Sequence, residues 1–217
     1  MATEIPEDAL IENLRQTYDK YAQERDAHPL PDWKRQERDD FLFLLQKEQK
    51  KTMLEIGAGT GKDAWCFQEA GIEVTCIDLS PVNLELCRQK GLMAFLMDMR
   101  GMHFPDSSMD AVYSMNSLLH LKKTDFKDVL GRIDRVLKPD GLFFLGMHGG
   151  REQAAVWEDD PFIPHRFFSF FTDEDLEKEV MKVFDILSFK KVVYDPTNPL
   201  HFQSVVLRKR KIIPKAQ

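Results

Sequence analysis

The segment Leu54-Glu55-Ile56-Gly57-Ala58-Gly59-Thr60-Gly61 places closely spaced glycines directly after an apolar run and directly before a helical one. Glycines at such a junction let the chain turn sharply and bring backbone N–H groups up to a ligand. Asp78 follows Gly57 by 21 residues, and Asp98 follows Asp78 by 20. An acid at that distance, at the C-terminal edge of a strand, is positioned to accept hydrogen bonds from both hydroxyls of a ribose. The next acid along, Asp98, is placed to accept from an adenine amino group. Together these residues describe a nucleoside site.

Glu55 narrows the ligand. A carboxylate just before the first glycine repels a pyrophosphate and attracts the ammonium and sulfonium of an adenosylated methionine. The spacing Glu-x-Gly-x-Gly-x-Gly also departs from the dinucleotide pattern G-x-G-x-x-G. Both features favour S-adenosylmethionine over NAD, and an NAD-dependent oxidoreductase stands as the alternative. A non-catalytic S-adenosylmethionine-binding protein is a second. If a methyl acceptor must first lose a proton, the candidate general bases are His120 and His148, both near the strand ends; His120 is preferred because it lies four residues beyond Asn116.

The elements that would position these residues can be read from periodicity. Residues 7–25 form a helix with Leu10, Ile11, Leu14, Tyr18 and Tyr21 at helical spacing, and Asp32 caps a second helix running to about Gln49. From residue 51 short apolar strands alternate with helices: Thr52–Ile56, Glu73–Ile77, Met93–Met97, Ala111–Met115 and Leu142–Met147, the last preceded by a turn at Lys138-Pro-Asp-Gly141. This alternation implies a parallel sheet covered on both faces. After a helix starting at Thr172, the runs Phe184–Tyr194 and His201–Arg208 are joined by a turn short enough only for a hairpin, so one final strand is antiparallel.

Those residues resemble a class I S-adenosylmethionine-dependent methyltransferase of the small-molecule kind. The resemblance rests on Glu55–Gly61, Asp78-Leu79-Ser80, Asp98-Met99, Asn116–His120 and Leu137–Phe144, and covers roughly residues 50–147. It implies a Rossmann-like α/β fold: a seven-stranded sheet of order 3-2-1-4-5-7-6 with strand 7 antiparallel, helices on both faces and N-terminal capping helices. It further implies that Gly57, Ala58 and Gly59 line the methionine portion with Glu55 supporting the loop, and that Gly61 is among the cofactor-binding residues. Asp78, Leu79 and Ser80 would take the ribose and adenine face, and Asp98 and Met99 the adenine edge. Asn116 and Ser117 would lie beside the transferable methyl or cap a helix. Tyr18 and Tyr21, in Tyr18-Asp-Lys-Tyr-Ala22, would either close the pocket, with Tyr21 toward the cofactor and Tyr18 toward the substrate, or pack in the core.

The acceptor side is read more coarsely. One domain is expected over 1–217: a helical cap at 1–49, a cofactor-binding core at 50–147, an aromatic roof at 148–171, and a last helix with hairpin at 172–217. Residues 149–171 are too long for an ordinary connection and hold Trp157, Phe162, Phe167, Phe168, Phe170 and Phe171. His148, Trp157, Arg166 and Phe167 are the candidate substrate contacts beside Tyr18; Arg166 either meets an acidic substrate group or pairs with Glu158, Asp159 or Asp160.

Composition bounds the rest. The chain has 217 residues, 43% hydrophobic and 30% charged, with net charge −6. A mildly acidic surface gains nothing from a phosphate backbone, so nucleic acid is not an expected partner. Cys66, Cys76 and Cys87 match no metal or redox spacing and read as core residues, and no metal is expected. An acidic N-terminus without an apolar core, and no run near the roughly 20 residues of a membrane helix, point to a cytoplasmic protein with no membrane partner.

Overall fold

The computed structural model describes residues 6–211. The acidic start at 1–5 and the tail at 212–217 lie outside the described residues. Helices α1 (Glu7–Ala27) and α2 (Asp32–Lys47) precede the alternating region. That region runs β1 (Thr52–Ile56), α3 (Lys62–Glu69), β2 (Glu73–Asp78), α4 (Pro81–Gln89), β3 (Met93–Leu96), β4 (Met109–Met115), α5 (Lys123–Val136) and β5 (Leu137–Gly149). A small hairpin, β6 (Gln153–Val156) and β7 (Phe167–Phe170), follows. Then come α6 (Asp173–Val180), β8 (Phe184–Val192) and β9 (His201–Lys209).

The seven-stranded sheet has the order β3-β2-β1-β4-β5-β9-β8, with β9 antiparallel to both β5 and β8. With β6 and β7 set apart as a separate two-stranded sheet, this is the expected 3-2-1-4-5-7-6 topology. The apolar strands follow from burial on both faces. Leu54, Ile56, Val112, Phe143 and Leu145 point to one core, against Phe126, Leu130 and Ile133 of α5 and Leu176 and Val180 of α6. The alternate residues Met53, Ala111, Tyr113 and Phe144 point to the other, against Phe41 and Leu45 of α2 and Phe67 of α3. Each fully buried Leu or Phe contributes roughly 1.5–3 kcal/mol.

Several local expectations are corrected. Asp32 is the first residue of α2, not its cap; Pro31 holds that position and no side chain caps the helix. The Lys138–Gly141 turn lies inside β5, where the pairing shifts between Met109 and Ala111 and Asp140 takes φ +61° to absorb the extra residues. The third strand ends at Leu96, short of Asp98. By contrast, Ser80 caps α4 as its position before Pro81 implies, accepting from the Asn83 N–H at 3.0 Å.

Candidate active site

The C-terminal ends of the parallel strands open into a cavity of about 600 Å³, closed from above by α1, the start of α2 and the 149–171 segment. Its floor is the glycine loop. The N–H groups of Gly57 and Ala58 both donate to the Ile77 carbonyl, tying the loop to β2. Asp78 then braces it: one carboxylate oxygen accepts from the Gly59 N–H and the other from the Ser80 N–H, each at 2.8 Å. Burial pushes the Asp78 carboxyl above its usual range against those bonds. Gly57 has φ +67°, and a Cβ there would lie 2.4 Å from Ser117 Cβ and Oγ. Gly59, with φ +55°, meets nothing within 4 Å. The loop is therefore packed tight on its β4 side and open toward the cavity.

Two buried acceptors beside this loop lack a partner: Oε2 of Glu55 and Oδ1 of Asn116. Burial raises the Glu55 carboxyl well above the ordinary range, reinforced by Asp63, Cys87 and Asp78. Asn116 sits at φ +58°, a left-handed conformation uncommon outside glycine, and its N–H is bound to the Gly146 carbonyl at 2.7 Å. Unsatisfied buried acceptors cost free energy unless a donor arrives. A cationic amino group above the glycine loop supplies such donors, so the residues present fit the methionine end of S-adenosylmethionine. They would reject a pyrophosphate.

One wall is a chain of polar contacts. Tyr18 Oη lies 2.9 Å from His120 Nε2, and His120 Nδ1 lies 2.8 Å from the Phe167 carbonyl. A carbonyl only accepts, so Nδ1 carries the proton, and Nε2 accepts from the Tyr18 hydroxyl. Arg166 Nη1 donates to the same hydroxyl at 3.2 Å, while its other nitrogens fork onto Asp160 at 2.8 Å each. Burial and the Arg166 charge hold the His120 imidazole down to about 3. With both nitrogens occupied and protonation disfavoured, His120 is a neutral acceptor for Tyr18 and not a free base, which corrects the expected role. The Arg166 alternatives resolve to Asp160.

Tyr194 and His148 also line the cavity; Trp33 stacks on Tyr194 at 4.9 Å and 13°, and His148 meets both rings edge-on. Phe162, Phe168 and Trp157 line the roof.

The cavity thus brings together Glu55, Gly57, Ala58, Gly59, Asp78, Leu79, Met99, Asn116, Ser117, His120, Tyr18, His148, Trp157 and Arg166 of the sequence-derived set. Five residues lie elsewhere. Tyr21 packs on the Phe162 ring at 4.7 Å. Gly61 packs under Leu92 and Cys87. Ser80 is fully buried, capping α4 and donating to Asp19 at 2.6 Å, which anchors α1 beside the site. Asp98 caps the turn Met99–Gly101, is forked by Arg100, and faces a separate space of about 40 Å³ walled by α1 and shared with Leu79, Met99 and Phe167. Phe168 replaces Phe167 in the main cavity: neighbours on a strand face opposite ways, and periodicity alone does not say which way. Sequence reasoning also missed Arg25, Lys34, Met115, Tyr194 and Asn198. Only the tertiary fold brings α1, α2 and the β8–β9 turn to this edge.

The family model described as a methyltransferase domain matches residues 54–145. Among curated proteins, YqeM of Bacillus subtilis (strain 168), named as a candidate methyltransferase, is 34% identical over 121 residues, covering 52% of this chain and 49% of its own length. The thiol S-methyltransferase TMT1B of Rattus norvegicus is 32% identical over 49% of this chain and 48% of its own length. The chain thus spans about half the length of these relatives. Among solved structures, the Burkholderia thailandensis 1,6-didemethyltoxoflavin-N1-methyltransferase, with bound 1,6-didemethyltoxoflavin and S-adenosylhomocysteine, aligns with TM-score 0.75 at 20% identity over 97% of this chain and 93% of that one.

Proposed function

We propose that this chain is a class I S-adenosylmethionine-dependent methyltransferase that moves a methyl group from S-adenosylmethionine to an oxygen or nitrogen of a small-molecule acceptor, leaving S-adenosylhomocysteine. The observation that carries this reading is the pair of unpartnered acceptors, Glu55 Oε2 and Asn116 Oδ1, beside a glycine loop braced by Asp78.

The cofactor, when bound, supplies an activated methyl on a sulfonium, so the chemistry asked of the protein is alignment for an in-line displacement. Glu55, Asn116 and the Gly57–Gly59 backbone would hold the amino-acid end, with Asp78 and Leu79 at the ribose and adenine face. Trp157, Phe162 and Phe168 exclude water from the acceptor side, and Tyr18, held between His120 and Arg166, offers a hydroxyl of fixed direction to the acceptor. A small acceptor is supported by a cavity of about 600 Å³ with several aromatic residues in its wall and by the thiol and toxoflavin-type substrates in the names of relatives. The net charge of −6 disfavours nucleic acid, and no helix among the described residues is long and apolar enough to cross a membrane.

Calorimetry with S-adenosylhomocysteine tests the cofactor half, with micromolar-range binding expected. A screen of phenol, amine and carboxylate acceptors, read by S-adenosylhomocysteine release, tests the transfer. Binding without turnover across a broad screen would favour a non-catalytic cofactor-binding role.

A further inference from the structure

Lys34, in the first turn of α2, is half-buried and lines the cavity. Among the described residues no carboxylate lies within ion-pairing distance of it; its one recorded side-chain contact is the Trp33 ring, 5.4 Å away. Asp63, whose charge acts on Lys34, faces Arg38 at 3.5 Å instead. A buried cation without a partner is costly, and burial with the neighbouring Arg25 charge pulls Lys34 down to about 8.

His148 lies close enough to be affected by that charge and is held down to about 4, so it is neutral. Its Nδ1 is 3.1 Å from Tyr194 Oη, and Asn198 Nδ2 donates to that same oxygen at 3.4 Å. His148 Nε2 has no hydrogen-bond partner among the described residues, and it can donate when the Tyr194 proton is given to Nδ1. Lys34 presents donors only, and it lines the cavity with His148 and Tyr194, the ring on which Trp33 stacks. Donors at the edge of an aromatic wall recognise an anionic oxygen attached to a flat molecule.

We propose that Lys34 and His148 dock an anionic oxygen of the methyl acceptor, so that the acceptor is a small aromatic acid. This rests on the methyltransferase reading and names its substrate class. A carboxylate could also come from the amino-acid end of the cofactor. Arg25 is the cation available there: it lines the same cavity, forms no ion pair among the described residues, and its charge acts on Asp78 and His120.

The test titrates the full chain, saturated with S-adenosylhomocysteine, with a panel of aromatic acids (benzoate, salicylate, 4-hydroxybenzoate and larger analogues), each paired with its neutral amide. At least one acid is expected to bind about tenfold more tightly than its amide. Lys34→Met should abolish that preference, Lys34→Arg should keep it, and neither should change S-adenosylhomocysteine affinity by more than about twofold. The inference is overturned if no acid outranks its amide. It is equally overturned if Lys34→Met weakens S-adenosylhomocysteine about tenfold while leaving 5′-methylthioadenosine, which lacks the carboxylate, unaffected; Lys34 would then serve the cofactor. Failure of the unmodified chain to bind S-adenosylhomocysteine at all would instead remove the methyltransferase reading beneath it.

Discussion

The Tyr18 hydroxyl donates to Nε2 of His120 at 2.9 Å, joining the N-terminal helix to the turn after β4 across 102 positions of sequence. Arg166, from the roof, donates to the same hydroxyl. One phenol thus ties together the cap, the sheet edge and the aromatic roof, and so fixes how the cavity is closed.

Tyr18→Phe removes that donor and leaves a buried imidazole nitrogen and an Arg166 N–H without their partner. A loss of about 1–3 kcal/mol in unfolding free energy is expected from urea titration. A change within about 0.5 kcal/mol would show that the contact contributes little to closure.

Asp78 braces the glycine loop, and ribose binding is its proposed role. Asp78→Asn keeps the size but loses one acceptor, and Asp78→Ala loses both. S-adenosylhomocysteine affinity should fall about tenfold in the first and further in the second, each carboxylate hydrogen bond contributing roughly 1.5–3 kcal/mol. Equal binding by all three proteins would exclude Asp78 from the site.

Gly57→Ala tests the loop directly. The new Cβ would overlap Ser117 and would sit at a positive φ, so the loop must move. Cofactor affinity is expected to drop by more than tenfold, about 1.4 kcal/mol or more, with far-UV circular dichroism unchanged. Gly59→Ala is strained at its own φ but meets no neighbour, so its protein without ligand should be the more stable of the two.

Glu55 predicts proton release. Its carboxyl is raised well above the ordinary range by burial, and a cation arriving beside it favours ionisation. Titrations of S-adenosylhomocysteine in buffers of different ionisation enthalpy, run across a range of pH, should show protons leaving the complex, and Glu55→Gln should abolish the release. Identical enthalpies in all buffers would contradict this.

His120 makes stability depend on pH. Its folded value is about 3 against an ordinary value of 6.5, so below 6.5 the unfolded chain takes up a proton that the folded chain does not. Stability from this ring is fully present above pH 6.5 and is lost as pH falls toward 3, by about 2 kcal/mol at pH 5. Asp63, raised to about 6 from 3.8, acts in the opposite sense: folding favours its protonated form, so acidification from 6 toward 3.8 offsets part of the loss. Urea midpoints should therefore fall less between pH 7 and pH 5 in His120→Gln than in the unmodified chain.

The parts of this protein legible in its sequence are those governed by local rules. Strand and helix periods, the capping Ser80, the positive-φ glycines and the timed acids are short-range requirements of backbone geometry. They led to the α/β alternation, to the glycine loop and to Asp78, while the strand order was implied by the family resemblance. Even the antiparallel last strand follows from the length of one turn. The acceptor side depends on which distant surfaces meet. Nothing in the spacing of α1 and α2 places Arg25 and Lys34 over the strand ends. No period says whether Phe167 or Phe168 faces inward, and no pattern reveals that Asp160 neutralises Arg166 or that Tyr18 occupies His120. Those outcomes are set by packing between segments more than 100 residues apart in several cases, where burial decides which polar groups are satisfied and which are left for a ligand.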